Sequence, residues 1–254
     1  RRGKVEYSVS FQIARPVDAA QGSGVLIYDV PNRGRGEVRA DPDGHVRVIS
    51  GWQGDIAPDG ETQGALVPVA RGAKGATVTG PVLARFVGVA AGTRSLLISG
   101  GIGRATPRPA PVSTDTARAT LTVSRTGQPT TRLPPDAWAF ADCRTAAFPG
   151  TADPGHLCLR DGFDPQAAYT LVYEGRDPMV LGIGFAATRD LVSFLRSGRA
   201  DRTGAPNPAG RRIRWTVGYG MSQSGNFLRS FVRLGFNRDL AGRRVFDGIN
   251  PDIA

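Results

Sequence analysis

The chain is poor in histidine, cysteine and lysine. It has two His and two Cys in 254 residues, and of its 32 basic residues only Lys4 and Lys74 are lysine. With no CxxC pair and no His/Cys cluster, a structural zinc site is not expected, nor is any other metal or cofactor. No run of 18 apolar residues occurs, so no membrane-spanning helix is expected. The net charge of +10 would suit a nucleic-acid partner. The arginines, however, are scattered singly and are densest at Arg211, Arg212 and Arg214. No basic patch is interleaved with aromatics, so nucleic-acid binding is not expected.

The length suits one large domain, or one domain with an insertion, and 40% hydrophobic content is enough for a core. No signal segment is visible. The chain opens at Arg1-Arg2-Gly3 without Met, so its natural start is expected upstream, and export stays open. Cys143 and Cys158 lie in a loop-rich stretch between Pro-Gly turns. A disulfide in an exported protein and two free thiols in a cytosolic one both fit.

Residues 5–13 alternate apolar and polar, as a half-buried strand does. Residues 24–30 form a continuous apolar strand suited to a sheet covered on both faces, and 45–50 form a further short strand. From 66 to 164 Thr, Val, Gly and Pro dominate, with short alternating runs at 82–89, 95–98 and 119–123, which reads as a β-rich insertion. Strand texture returns at 169–173, a helix pattern covers 180–195, and a last strand is expected at 244–249. The order implies an α/β fold, with a core of residues 1–65 and 165–254 interrupted by the insertion at 66–164. Gly182-Ile183-Gly184 and Gly101-Ile102-Gly103 imitate a dinucleotide fingerprint. The first lies in a helix pattern and the second has no helix after it, so neither is read as a cofactor site.

Residues 217–231 read V-G-Y-G-M-S-Q-S-G-N-F-L-R-S-F. A strand pattern at 212–217 enters a cluster of small residues centred on Ser222. Phe227, Leu228, Phe231, Val232 and Leu234 then recur at helical spacing. This is the layout of a nucleophile elbow, in which a serine sits on a sharp strand-to-helix turn. Gly220 and Ser224 are small where such a turn crowds strand against helix. Ser224 is the competing serine, but centring the motif there puts Asn226 where a small residue is needed.

Six stretches together resemble a bacterial family of α/β-hydrolase-domain serine esterases: Y-S-V-S-F-Q-I-A-R-P-V-D, G-V-L-I-Y-D-V-P-N-R-G, S-G-W-Q-G-D, G-F-A-A-T-R-D-L-V-S-F-L-R, G-M-S-Q-S-G-N-F-L-R and G-R-R-V-F-D-G-I-N-P-D-I-A. The resemblance implies a mostly parallel sheet flanked by helices and a Ser-His-acid triad acting on a small-molecule ester. Ser222 matches the nucleophile, and the amide of Gln223 matches one oxyanion donor. The second donor is expected from the loop after the 24–30 strand, at Asn32 or Arg33. Trp52, Gln53 and Met221 are candidate pocket residues, although Trp52, Gln53 and Asp55 also read as a hydrogen-bonded loop. Asp190 reads as a structural ion-pair partner of Arg189 or Arg229.

Triad order in such folds is Ser, acid, His. Here His45 and His156 both precede Ser222, and none follows it. The expectation is a C-terminally truncated, nearly inactive fragment whose missing segment carries the acid and the histidine. The alternative is a non-catalytic binding or scaffold protein on a degenerate hydrolase fold.

Overall fold

The computed structural model describes residues 6–56, 61–100, 106–210 and 213–253. The chain divides into two compact units, Arg1–Pro68 with Val180–Ala254, and Val69–Met179. Each has its own apolar core.

The discontinuous unit carries a five-stranded sheet in the order Gly248–Asp252, Trp215–Met221, Val25–Asp29, Val46–Ser50, Phe11–Ala14. The first four strands run parallel, and Phe11–Ala14 pairs antiparallel with Val46–Ser50. Helices α1 (Ile183–Ser197) and α2 (Gln223–Arg233) pack on this sheet. Val192 and Leu195 of α1 and Phe227, Leu228 and Phe231 of α2 join Leu26, Tyr28 and Val48 in one buried cluster. Each such side chain stabilises by about 1.5–3 kcal/mol, so these stripes hold the helices more firmly than helix propensity does. The buried Tyr28 hydroxyl adds a polar tie, 2.6 Å from Ser50 Oγ and 3.2 Å from Thr188 Oγ1 of α1.

Both helices therefore lie on the face that buries Leu26, Tyr28 and Thr216. The expected cover on both faces is not seen among the described residues. The alternate positions of the elbow strand stay open, with Trp215 59% exposed and Val217 and Tyr219 half-buried.

The end of α1 is closed by side chains distant in sequence. Gly198 N–H donates to Phe194 O at 2.7 Å, and a Cβ at Gly198 would fall 2.4 Å from the Phe194 ring. Asn207 Nδ2 lies 2.9 Å from the carbonyls of Phe194, Leu195 and Gly198, and so gathers the end of the helix and its cap residue onto one side chain.

Several strand limits differ from the sequence reading. The expected first strand is broken into Ser8–Val9 and Phe11–Ala14, with residue 5 outside the described residues. The elbow strand runs to Met221, and position 212 is likewise not described. The expected 244–249 strand is shifted to Gly248–Asp252. Val245 and Phe246 turn into the core instead, and Asn237 brackets Phe246 by accepting its N–H at 2.7 Å and donating to its carbonyl at 3.1 Å.

Val69–Met179 has no α-helix among its described residues. One antiparallel sheet has the order Thr131–Arg132, Thr120–Ser124, Ala168–Arg176, Thr79–Phe86. Another has Trp138–Ala139, His156–Leu159, Ser95–Leu97. Leu121, Leu157 and Leu171 are fully buried between them with Trp138 and Phe140. Ala168–Arg176, read from sequence as the return to the core, pairs along its length with Thr79–Phe86. The unit boundary thus falls after Met179, not at 164. Cys143 and Cys158 form a disulfide in a small buried cluster with Ala141.

Candidate active site

The elbow begins where Met221 ends its strand and Gln223 opens α2, leaving one residue to make the turn. That residue is Ser222, at φ 56° and ψ −116°, which side-chain-bearing residues rarely adopt. Strain of this kind persists only where surrounding structure imposes it. Ser222 N–H donates to Asp252 O at 2.8 Å, and Ser222 O accepts from Asn226 N–H at 3.0 Å. Gly220 has no room for a side chain, because a Cβ there would lie 2.6 Å from Ser224 O and 3.0 Å from Gly225 N.

The two serines have different surroundings. Ser224 is 1% exposed, and its hydroxyl bridges Met221, accepting from the N–H at 3.0 Å and donating to the carbonyl at 2.9 Å. Ser222 is exposed, and its hydroxyl has no hydrogen-bond partner among the described residues. Ser224 staples the bend, whereas Ser222 presents its side chain to solvent.

Asn32, in the loop after Val25–Asp29, grips the elbow from the side. Its Nδ2 donates to Met221 O at 2.9 Å and its Oδ1 accepts from Ser224 N–H at 3.1 Å. The side chain of Asn32, one of the two positions expected to supply the second oxyanion donor, thus holds two loops together. Next to it, Arg33 is exposed and sits at φ 56°. Gly34, at φ 68°, lies so close to Gln63 O that a Cβ would be 2.0 Å away. Burial raises the Asp29 carboxyl above its ordinary range, while Arg47 at 2.7 Å opposes that shift.

The loop after Val46–Ser50 joins the same edge. Trp52 Nε1 donates to Pro31 O at 2.8 Å, and its ring packs 4.5 Å from that of Phe227. Trp52 therefore braces the Asn32 loop against α2. Gly184 of α1 approaches the same tryptophan so closely that a Cβ would lie 2.0 Å from Trp52 O. This steric need accounts for the fingerprint-like glycine there. The similar Gly101-Ile102-Gly103 lies outside the described residues. Gln53 Oε1 is buried with no hydrogen-bond donor among the described residues. Met221 is 45% exposed beside the serine.

Because the four strands are parallel, Ser222, Asn32, Arg33, Trp52 and Gln53 all follow strand C-terminal ends, where open α/β sheets bind ligands. His45 precedes Val46 and so belongs to the opposite edge, where its Nδ1 is 2.7 Å from Ser23 Oγ. His156 belongs to the other unit, its Nδ1 2.8 Å from Asp153 Oδ2. Of the carboxylates, Asp190 is taken by Arg189 at 2.7 Å and by the Tyr7 hydroxyl at 2.6 Å. Asp247 is taken by Arg196 at 3.0 Å, and Asp239 by Arg243 at 2.7 Å. The Asn32 clamp was not evident from sequence, where only a turn after Pro31 could be read.

A mostly parallel sheet with a strained serine between a strand and a helix defines an α/β protein with a hydrolase-type elbow. Residues 118–254 match the family described as "Alpha/beta hydrolase domain", and the chain belongs to that family. The match takes in the second half of the β-rich unit as well as α1 and the elbow. No curated protein and no solved structure matches the chain.

Proposed function

We propose that the protein is a serine hydrolase of carboxylic esters, with Ser222 as the nucleophile. The carrying observation is the backbone at Ser222, a non-glycine residue held at φ 56° between strand and helix with its side chain exposed. The hydroxyl attacks the ester carbonyl, the alcohol leaves from a tetrahedral oxyanion, and water releases the acid from the acyl-serine. The Gln223 amide, first in α2, has no intrahelical acceptor and is aligned with the positive end of the helix dipole. It serves as one oxyanion donor. The backbone of the Asn32–Arg33 loop supplies the second, positioned by the Asn32 side chain. Such donors contribute roughly 3 kcal/mol each. Met221, Trp52 and Gln53 are the residues we assign to the ester pocket.

The serine needs a base. We assign neither His45, at the opposite edge of the sheet, nor His156, in the other unit, as that base. The competing reading, a binding protein on a degenerate hydrolase fold, draws support from the lack of a histidine partner for Ser222 among the described residues. The test is hydrolysis of short-chain nitrophenyl esters, and labelling by a fluorophosphonate, using the protein with any sequence that flanks these residues in its gene. Ser222→Ala is expected to lose at least roughly 10³-fold in kcat/KM and all labelling. Equal turnover by both forms would exclude the hydrolase reading, and folded protein that neither labels nor turns over would favour the binding reading.

A further inference from the structure

A cavity of about 170 Å³ opens at the other edge of the same sheet. Its walls are Pro16, Ala19, Val46, Ala209 and Ile213, and Arg15 stands at it. Gly24 and Val46 adjoin the starts of the Val25–Asp29 and Val46–Ser50 strands, whereas Ser222 and the Asn32 loop follow strand ends. At about 3.3 Å per residue, five-residue strands put roughly 15–20 Å between the two places. One small ligand cannot reach both.

The lining chemistry is unequal. Its backbone is largely satisfied from within. Gly22, Gly44 and Gly210 donate their N–H groups to Ala19 O, Asp41 O and Asn207 O, and Gly24 O accepts from Arg214 and Trp215. Gly44, at φ 75°, lies where a Cβ would be 2.2 Å from Gln21 O, so two loops close the wall backbone against backbone. What remains is an apolar surface with a single charged side chain in the described lining, that of Arg15, which makes no ion pair among the described residues. The acids nearby in sequence are largely engaged. Asp18 accepts from Ala20 N–H at 2.8 Å, and Asp41 faces Arg47 at 3.6 Å and caps Asp43 N–H at 3.0 Å, leaving Asp43 exposed.

We propose that this cavity is a second binding site, for a small monocarboxylate with an apolar body. The carboxylate would sit on the Arg15 guanidinium, whose planar fork fits two carboxylate oxygens. The body would fill the cavity, displacing water from walls that offer it few hydrogen bonds. A small dianion would leave the apolar walls unfilled. This site is independent of the esterase reading.

The test is calorimetric titration of the protein with hexanoate, hexylamine and acetate. Hexanoate should saturate, with a dissociation constant on the order of 1 mM for so small a ligand, and hexylamine and acetate should not. Arg15→Gln should weaken hexanoate at least roughly tenfold by removing the charge-assisted pair. Ala19→Trp, at an exposed position of the lining, should block it, and Ser222→Ala should leave it unchanged. Equal binding of amine and acid, unchanged affinity in Arg15→Gln, or no saturation by hexanoate would each overturn the proposal.

Discussion

The two units are held together by different means. Val69–Met179 is built from antiparallel pairs between short strands and is tied by one covalent cross-link. The discontinuous unit joins parallel strands through connections that return across the sheet. It has no disulfide and relies on close backbone approaches at Gly220, Gly184 and Gly34, and on side chains such as Asn32 and Asn207 that bridge distant loops. The strained residue of the candidate site lies in this second kind of structure. Lys74 of the β-rich unit has a similar φ, 55°, but at ψ 24°, in the ordinary left-handed region. The Ser222 bend at φ 56° and ψ −116° lies outside that region and persists when neighbours on several sides forbid the alternatives, as a layer of sheet and helices does.

That contrast can be broken at the elbow first. Gly220→Val would push side-chain atoms into the backbone of Ser224 and Gly225, neither of which can rotate away. We expect a loss of roughly 3 kcal/mol or more in denaturant unfolding, with loss of fluorophosphonate labelling at Ser222. Unchanged stability would mean that the elbow is looser than its geometry implies.

Cutting the covalent tie tests the other unit. Cys143→Ser with Cys158→Ser opens a loop of sequence separation 15. The expected cost is about 3 kcal/mol, through a larger unfolded ensemble. If the units differ as described, proteolysis of the variant should begin within 69–179 and leave the helix-backed unit intact. Cleavage spread evenly over both would blur the contrast.

The smallest effect concerns pH. Asp239 is held well below the ordinary carboxylate range, first by Ser193 Oγ at 2.7 Å and then by the Arg243 amide and guanidinium and the Ala241 amide. A carboxyl with a lowered folded pKa stabilises above its unfolded pKa of about 3.9, and that share is lost as pH falls through the folded value. Asp239→Asn should therefore be less stable than the parent near neutrality, and the gap should narrow below about pH 4. A constant gap in thermal melts from neutral to acid pH would show that the carboxylate charge contributes nothing.

Much of the site was legible because an elbow is a local device. Its strand period, its two small flanking residues and its helical stripe lie within residues 217–231, and sterics in so short a segment leave few other solutions. The core helices were legible for the same reason, since apolar spacing at 3.6 residues marks which face is buried. Limits were poorer where packing overrode pattern. Val245 and Phe246 look like strand residues, yet they fill the core beneath the helices. Residues 169–173 look like the resumption of the parallel sheet, yet their partner is Thr79–Phe86. A strand pattern records alternation, not the identity of the neighbour.

The amino-acid order alone determined that a serine would stand between a strand and an amphipathic helix, because backbone sterics and side-chain period act over a few residues. Tertiary structure alone decided that Asn32 reaches across 192 positions to pin the bend and that Cys143 meets Cys158. Those outcomes depend on which distant groups arrive within hydrogen-bonding or bonding distance, and only the completed packing of the chain sets that.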